Sequence, residues 1–152
     1  MLRAMYEFLD WRVGDVMTRD VVAIDPETPL ARVEELFDTH DFDALPVVGR
    51  DGRLVGIVAK LDVLRAYQFT PDAIVPHYDD IRRRAAHTVM TSQPATASPD
   101  LPLTRLLEQL VATRVKSLPV VAADRVVGIV AREDVIQALR RAAAGERPRR
   151  SD

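Results

Sequence analysis

Apolar positions along this chain come in short runs whose period changes from one run to the next. Val21 to Ile24 is a β-branched run closed by Asp25-Pro26, which predicts a strand stopped by a turn. Pro29 then supplies the fixed φ of a first helical position, and Leu30, Val33, Leu36 and Phe37 form one apolar stripe at helical spacing. Leu45-Pro46-Val47-Val48 reads as a strand, Arg50-Asp51-Gly52-Arg53 as a hairpin turn, and Leu54 to Ala59 as the returning strand. A further helix is predicted from Lys60.

The same order of elements then recurs. Val16-Met17-Thr18 returns as Val89-Met90-Thr91, a shift of 73 residues, from position 17 to position 90. That frame carries Pro26 onto Pro99, Pro29-Leu30 onto Pro102-Leu103, Arg32 onto Arg105, and Leu45-Pro46-Val47-Val48 onto Leu118-Pro119-Val120-Val121. The second hairpin turn, Ala122-Ala123-Asp124, is one residue shorter. Beyond it the frame is 72, from 56 to 128, and Val55 to Ala59 matches Val127 to Ala131, with Asp62-Val63 matching Asp134-Val135. Leu103, Leu106, Leu107 and Leu110 repeat the helical stripe. Many ordered matches in one frame mark a duplication. A unit of about 55 residues is marginal alone because it buries little surface, so two copies packed sheet against sheet about a pseudo-two-fold axis are expected.

The flanks read differently. Leu2, Tyr6 and Leu9 predict a short amphipathic helix packed on the body or on a partner, and Arg3, Glu7 and Asp10 break the apolar run that a secretory signal needs. Gln68 to Ala86 holds Pro71, Pro76 and Arg82-Arg83-Arg84 and reads as a connector with some helix. The segment after Ala144 has no apolar period and reads as disordered. The expected layout is a helical segment at 1–12, one repeat at 13–67, a connector at 68–86, a second repeat at 87–141 and a disordered tail at 142–152.

Composition sharpens this picture mainly by exclusion. Of 152 residues, 47% are hydrophobic, enough for a packed core, and the net charge of -2 calls for neither nucleic acid nor an anionic membrane as partner. The absence of cysteine removes disulfides, thiolate metal sites and cysteine nucleophiles, and suits a reducing cytoplasm. No apolar run approaches the ~20 residues of a membrane span. No Ser-His-Asp order with a glycine-flanked nucleophile and no phosphate-cradling glycine loop occurs. His40, His77 and His87, including His77 near Asp79 and Asp80, read as solvated residues rather than as a metal site. The arginine-rich patches read as solvated charge.

Three motifs in order, twice, carry a resemblance to the CBS domain, the module named after cystathionine beta-synthase. They are Val16-Met17-Thr18, Leu45-Pro46-Val47-Val48 and Gly56-Ile57-Val58 followed by Asp62, then Val89-Met90-Thr91, Leu118-Pro119-Val120-Val121 and Gly128-Ile129-Val130 followed by Asp134. The resemblance covers Val13 to Tyr67 and His87 to Arg141. It implies an α/β (α+β) fold of two β-α-β-β-α repeats. It also implies a pair that often dimerises into a disc, binds adenosine-containing ligands in clefts between repeats, and reports energy or metabolite status. Some 12 residues precede the first repeat and about 11 follow the second, so output is expected in trans on an unlinked protein.

By that resemblance Asp62 and Asp134 each accept hydrogen bonds from the vicinal hydroxyls of a ribose. The residues alone suggest a plainer role, a carboxylate favouring the first turn of a helix. The Asp62 cleft would be lined by Thr91, Ala95, Val115, Lys116 and Ser117, and the Asp134 cleft by Thr18, Val22, Phe42, Asp43 and Ala44. Lys116 would neutralise a phosphate that Asp43 would repel, which favours the Asp62 cleft for anions; two solvated loop charges are the plain alternative. Lys60 and Arg132 stand where they approach phosphates or simply begin exposed helices. Pro46 and Pro119 shape the strand entrances, and Gly56 and Gly128 permit close packing between strands. The family's Ser or Thr three positions before each Asp is replaced by Ala59 and Ala131, a loss of about 0.5–1.5 kcal/mol per hydrogen bond.

The expectation is therefore a non-catalytic, cytoplasmic, homodimeric module that binds AMP, ADP, ATP, S-adenosylmethionine or NAD. It requires no cofactor and no metal and contacts neither nucleic acid nor membrane. A ligand-free dimerisation scaffold is the alternative.

Overall fold

The computed structural model describes residues 7–68 and 78–150. In chain order the elements are α1 (Val13–Val16), α2 (Leu30–Thr39), β1 (Ala44–Val48), β2 (Leu54–Ala59), α3 (Lys60–Ala66), α4 (Tyr78–Arg83), a 3-10 turn at Ala86–Thr88, β3 (Thr91–Ser92), α5 (Leu103–Thr113), β4 (Ser117–Ala122), β5 (Arg125–Ala131) and α6 (Arg132–Ala143). This is the mixed helix and strand architecture that the two repeats predict. Leu2, Tyr6 and His77 lie outside the described residues.

The chain forms two compact units, and their limits differ from those of the sequence repeat. One unit joins Met1–Val21 to Ala95–Asp152; the other is Val22–Pro94. The Val-Met-Thr motif that opens each sequence repeat therefore sits in the unit built from the other copy. In the Val22–Pro94 unit, β1, β2 and β3 form one antiparallel sheet in which Ile57 pairs with Thr91 and Gly56 with Ser92. In the other unit β4 and β5 form a hairpin, and Thr18 bridges Ile129 through two backbone bonds of 2.9 and 3.0 Å.

Glycine makes that exchange sterically feasible. A Cβ on Gly56 would stand 2.5 Å from Met90 Sδ and 2.9 Å from the Thr91 carbonyl oxygen. One on Gly128 would stand 2.6 Å from Met17 Sδ and 2.9 Å from the Thr18 carbonyl oxygen. The close packing expected at both glycines is thus present, against the exchanged motif. Beside each glycine the hairpin slips register, between Val47 and Val48 and between Val120 and Val121, the mark of a bulge.

The predicted strand at Val21 to Ile24 is reduced to a single parallel bridge from Ile24 to Val47, and Ala97 to Val120 is its counterpart. Asp25 ends it at once, because its carboxylate accepts the Glu27 N–H at 2.7 Å and its own N–H goes to Thr28 Oγ1 at 3.0 Å. Pro29 and Pro102 occupy the cap positions rather than the first helical ones. The first helical N–H in each case finds a distant carbonyl, Leu30 to Arg84 and Leu103 to Trp11, at 2.9 and 3.0 Å. These acceptors are again 73 residues apart, from 11 to 84, so the symmetry extends to the segment ahead of each motif.

Leu30, Val33 and Leu36 are buried as predicted, as are Leu103, Leu106 and Leu110. Leu107 is instead 38% exposed. Of the N-terminal stripe only Leu9 lies among the described residues, and it is 56% exposed; Phe8 and Trp11 enter the core with Val13, Leu103 and Ala138. At the other end α6 runs to Ala143, two residues into the stretch that composition marks as tail. Within the predicted connector, α4 buries Ile81.

The shortened second hairpin carries strain. Ala123 and Asp124 have φ of +50° and +65°, the pair of left-handed residues of a type I′ turn, which suits Asn-Gly far better than Ala-Asp. Replacing Ala123-Asp124 by Asn-Gly is expected to raise stability by about 0.5–2 kcal/mol, read as a higher urea midpoint. A lower midpoint would contradict the turn assignment.

In the Val22–Pro94 unit, Tyr67 donates its hydroxyl to Glu34 Oε2 at 2.8 Å, and Arg82 lies 3.6 Å from the same oxygen. Burial, then the hydrogen bond and charge of Glu34, push the Tyr67 phenol up to about 12. A folded pKa above the ordinary value of 10.0 gives a contribution that is whole below pH 10 and lost as pH climbs toward 12. Tyr67→Phe should flatten the fall of stability across that window, measured by denaturation at stepped pH.

Candidate functional site

Each unit gathers one aspartate, one threonine and one strand entrance, by local rules that the duplication repeats. Asp62 is the third residue of α3 and Asp134 the third residue of α6, one helical turn past the end of the preceding strand. Ala59 and Ala131 hold the cap positions, with no side chain able to take the orphan amides. The aspartate reaches back instead: the Ala59 N–H donates to Asp62 Oδ2 at 2.8 Å and the Ala131 N–H to Asp134 Oδ2 at 2.7 Å. The plain reading of these carboxylates, helix-start acids, is therefore present in the structure. It engages one carboxylate oxygen, and an ionised carboxylate offers about four acceptor sites in all.

The Asp62 side chain is 11% exposed, with Arg65 Nη1 at 3.7 Å from Oδ1. The strand pairing sets its surroundings within the unit. Ala44 lies opposite Ala59, so Phe42, Asp43 and Ala44 lead in beside the start of α3. Thr91 pairs with Ile57, two residues before Ala59, and is exposed. Val22 is half-buried in the same unit.

The other unit repeats this with different side chains. Ser117 lies opposite Ala131 and is buried, while Val115 and Lys116 ahead of it are exposed. Thr18 bridges Ile129 and is exposed, as is Ala95. Asp62 thus shares a unit with Thr91, Val22, Phe42, Asp43 and Ala44, and Asp134 with Thr18, Ala95, Val115, Lys116 and Ser117.

Two cations expected near phosphates have other engagements. Arg132 donates through Nε to the Val115 carbonyl at 3.1 Å and through Nη2 to the Arg114 carbonyl at 2.6 Å, while its N–H donates to the Lys116 carbonyl at 3.0 Å. It fastens the end of α5 to the start of α6. Arg114 there adopts a left-handed φ of 58°, a helix end with no glycine to announce it in sequence. Lys60 Nζ lies 6.0 Å from the Phe37 ring centroid. Among the described residues no group of three or more His, Cys, Asp or Glu is placed to hold a metal ion. None of the helices described is long and apolar enough to cross a membrane.

The CBS domain family matches residues 13–68 and 85–141, the two stretches that carry the paired aspartates and hairpins. The chain belongs to the CBS domain family. CBSX2, whose crystal structure is a complex with AMP, is 25% identical, superposes with a TM-score of 0.75 and is covered over 98% of its length by 88% of this chain. Protein MJ1225 from Methanocaldococcus jannaschii is 26% identical with a TM-score of 0.78, over 90% of this chain and 50% of that one. A homoserine O-acetyltransferase of Methanohalobium evestigatum is 27% identical across 81% of this chain, but the chain spans only 23% of that protein. The CBS pair is therefore a part that also occurs within much larger enzymes.

Proposed function

We propose that this CBS pair is a regulatory module in which Asp62 and Asp134 each hold the ribose of an adenosine-containing ligand, and that occupancy alters a surface read by a partner protein. The observation that carries this reading is the placement of two equivalent aspartates. Each sits at the start of a helix beside an exchanged threonine strand, in a chain similar over most of its length to a protein solved with AMP. The ligand acts by shifting a conformational population and is not consumed, so the module is not a catalyst. Lys116 and Asp43 hold equivalent positions with opposite charge, and on that ground the two sites are unequal toward phosphate.

The test is a thermal-shift panel of AMP, ADP, ATP, NAD and S-adenosylmethionine. A ligand at a hundred times its Kd stabilises the folded state by about 2.7 kcal/mol. Asp62→Asn and Asp134→Asn should each remove part of the shift, and their unequal loss with ATP would report the charge difference. No shift with any adenosine compound would overturn the reading in favour of a ligand-free scaffold. That second reading draws on Ala59 and Ala131, whose missing hydroxyls leave the aspartates occupied as caps.

Homodimerisation is part of the same proposal. Val111, Ile136 and Leu139 on α5 and α6 are 70%, 57% and 41% exposed, more apolar side chain than a solvated helix pair needs. Light scattering should give twice the chain mass, and Val111→Asp with Ile136→Asp should return it to one.

A further inference from the structure

Beyond the adenosine reading, the geometry points to a second site, for a multiply charged phosphate group, in the arginine-walled cavity at the C-terminal end of α6. A cavity of about 490 Å³ there is lined by Arg141, Glu146, Arg147 and Arg149. A smaller one of about 370 Å³, lined by Gln137, Arg140, Arg141, Ala144 and Glu146, shares two of its residues. Among the described residues three guanidinium groups and one carboxylate line the larger cavity, and Arg140 adds a fourth guanidinium in the smaller one. That carboxylate is already committed, since Arg141 Nε donates to Glu146 Oε2 at 2.7 Å.

The wall is held in place, although its composition alone suggests a loose tail. Arg141 stacks over Trp11, its Cζ 4.7 Å from the ring centroid, and Trp11 is buried. Gly145, at φ +84°, turns the chain, and the Glu146 N–H closes on the Arg141 carbonyl at 3.0 Å. At the far end Arg150 grips Asp15 with two bonds, Nε to Oδ1 at 3.2 Å and Nη2 to Oδ2 at 3.1 Å, and also donates to the Asp10 carbonyl. The segment carrying Arg147 and Arg149 is therefore anchored on both sides. Neither arginine has an ion-pair partner among the described residues.

The chemistry of the wall selects the ligand class. The larger volume falls within the range of small-molecule sites, about 300–1,000 Å³. Among the described residues no aromatic side chain lines it, so none of them offers a base or an apolar ring a stacking partner. Guanidinium forks bind phosphate oxygens in pairs, and several converging ones favour a di- or triphosphate over a single charge. The shared ligand chemistry is the phosphate chain itself, free or attached to a nucleoside.

Calorimetric titration of the full chain with inorganic tripolyphosphate, alongside ATP and inorganic phosphate, tests the site. One tripolyphosphate per chain is expected, with inorganic phosphate at least about tenfold weaker. Arg147→Ala with Arg149→Ala, two exposed positions, should weaken tripolyphosphate at least about tenfold and leave the thermal midpoint unchanged. Asp62→Asn with Asp134→Asn should leave tripolyphosphate binding intact while reducing the binding of adenosine itself, which separates this site from the ribose sites. ATP matching tripolyphosphate in that background would place the phosphate chain of a nucleotide here; tripolyphosphate alone would assign a free polyphosphate. Equal affinity in the arginine double variant, no saturable heat, or an oligonucleotide that outcompetes tripolyphosphate would each overturn the proposal.

Discussion

Gly128→Ala is expected to destabilise the unit that contains it by about 1–3 kcal/mol, and Gly56→Ala to do the same in the other. The new methyl at 128 would meet two groups of different stiffness. Met17 Sδ, at 2.6 Å, ends a flexible side chain and can swing aside. The Thr18 carbonyl oxygen, at 2.9 Å, cannot, because it accepts the Ile129 N–H at 3.0 Å while the Thr18 N–H returns to Ile129. Relief therefore requires opening the bridge that seats Thr18 beside β5. The single tryptophan, Trp11, belongs to this unit, so its fluorescence during urea denaturation reads the loss directly. Adding Met17→Ala should recover only the sulfur's share. A Gly128→Ala midpoint equal to that of the parent would show that the strand yields freely, contrary to the geometry.

The larger loss is expected at Trp11 itself. It lies outside the residues that the CBS family matches, yet it is 1% exposed and packs in the core with Phe8, Leu103 and Ala138. Its carbonyl also accepts the first helical N–H of α5. Trp11→Ala should cost about 3–5 kcal/mol through the cavity it leaves. Trp11→Phe should cost far less. The indole N–H is buried without a partner among the described residues, and removing an unsatisfied donor returns about 1–3 kcal/mol against the lost volume. Denaturation followed by circular dichroism distinguishes the two variants. A Trp11→Phe protein as unstable as Trp11→Ala would mean that the N–H is satisfied in solution.

How much of this was legible in the chain depends on the range of the interaction concerned. The hairpins at Leu45 to Ala59 and Leu118 to Ala131 follow from β-branched runs around a turn, and the helical stripes from spacing, since both are set within a few residues. Val21 to Ile24 misled because its composition suits a strand while Asp25 closes a turn at once. Leu9 fitted the stripe, but the core is reached by Phe8 and Trp11. The exchange of Met17-Thr18 and Met90-Thr91 left only an indirect trace, Gly56 and Gly128, because periodicity does not say which copy a strand joins. At the candidate site the aspartates were found by motif. That they also cap their helices followed from Ala59 and Ala131 standing where a capping hydroxyl would be.

The exchanged motif also governs how the chain assembles in time. Each unit needs residues from both ends of a long stretch: Thr18 waits for Ile129, and the Val22–Pro94 unit is completed only when Thr91 returns to Ile57. A ribosome that has released the first hairpin has released an open sheet edge, and closure must await synthesis of the second motif. Contacts of such sequence separation slow folding because loop closure precedes any reward. A nick between Gln68 and Tyr78 would therefore yield two fragments that are each incomplete, and each would supply the strand the other lacks.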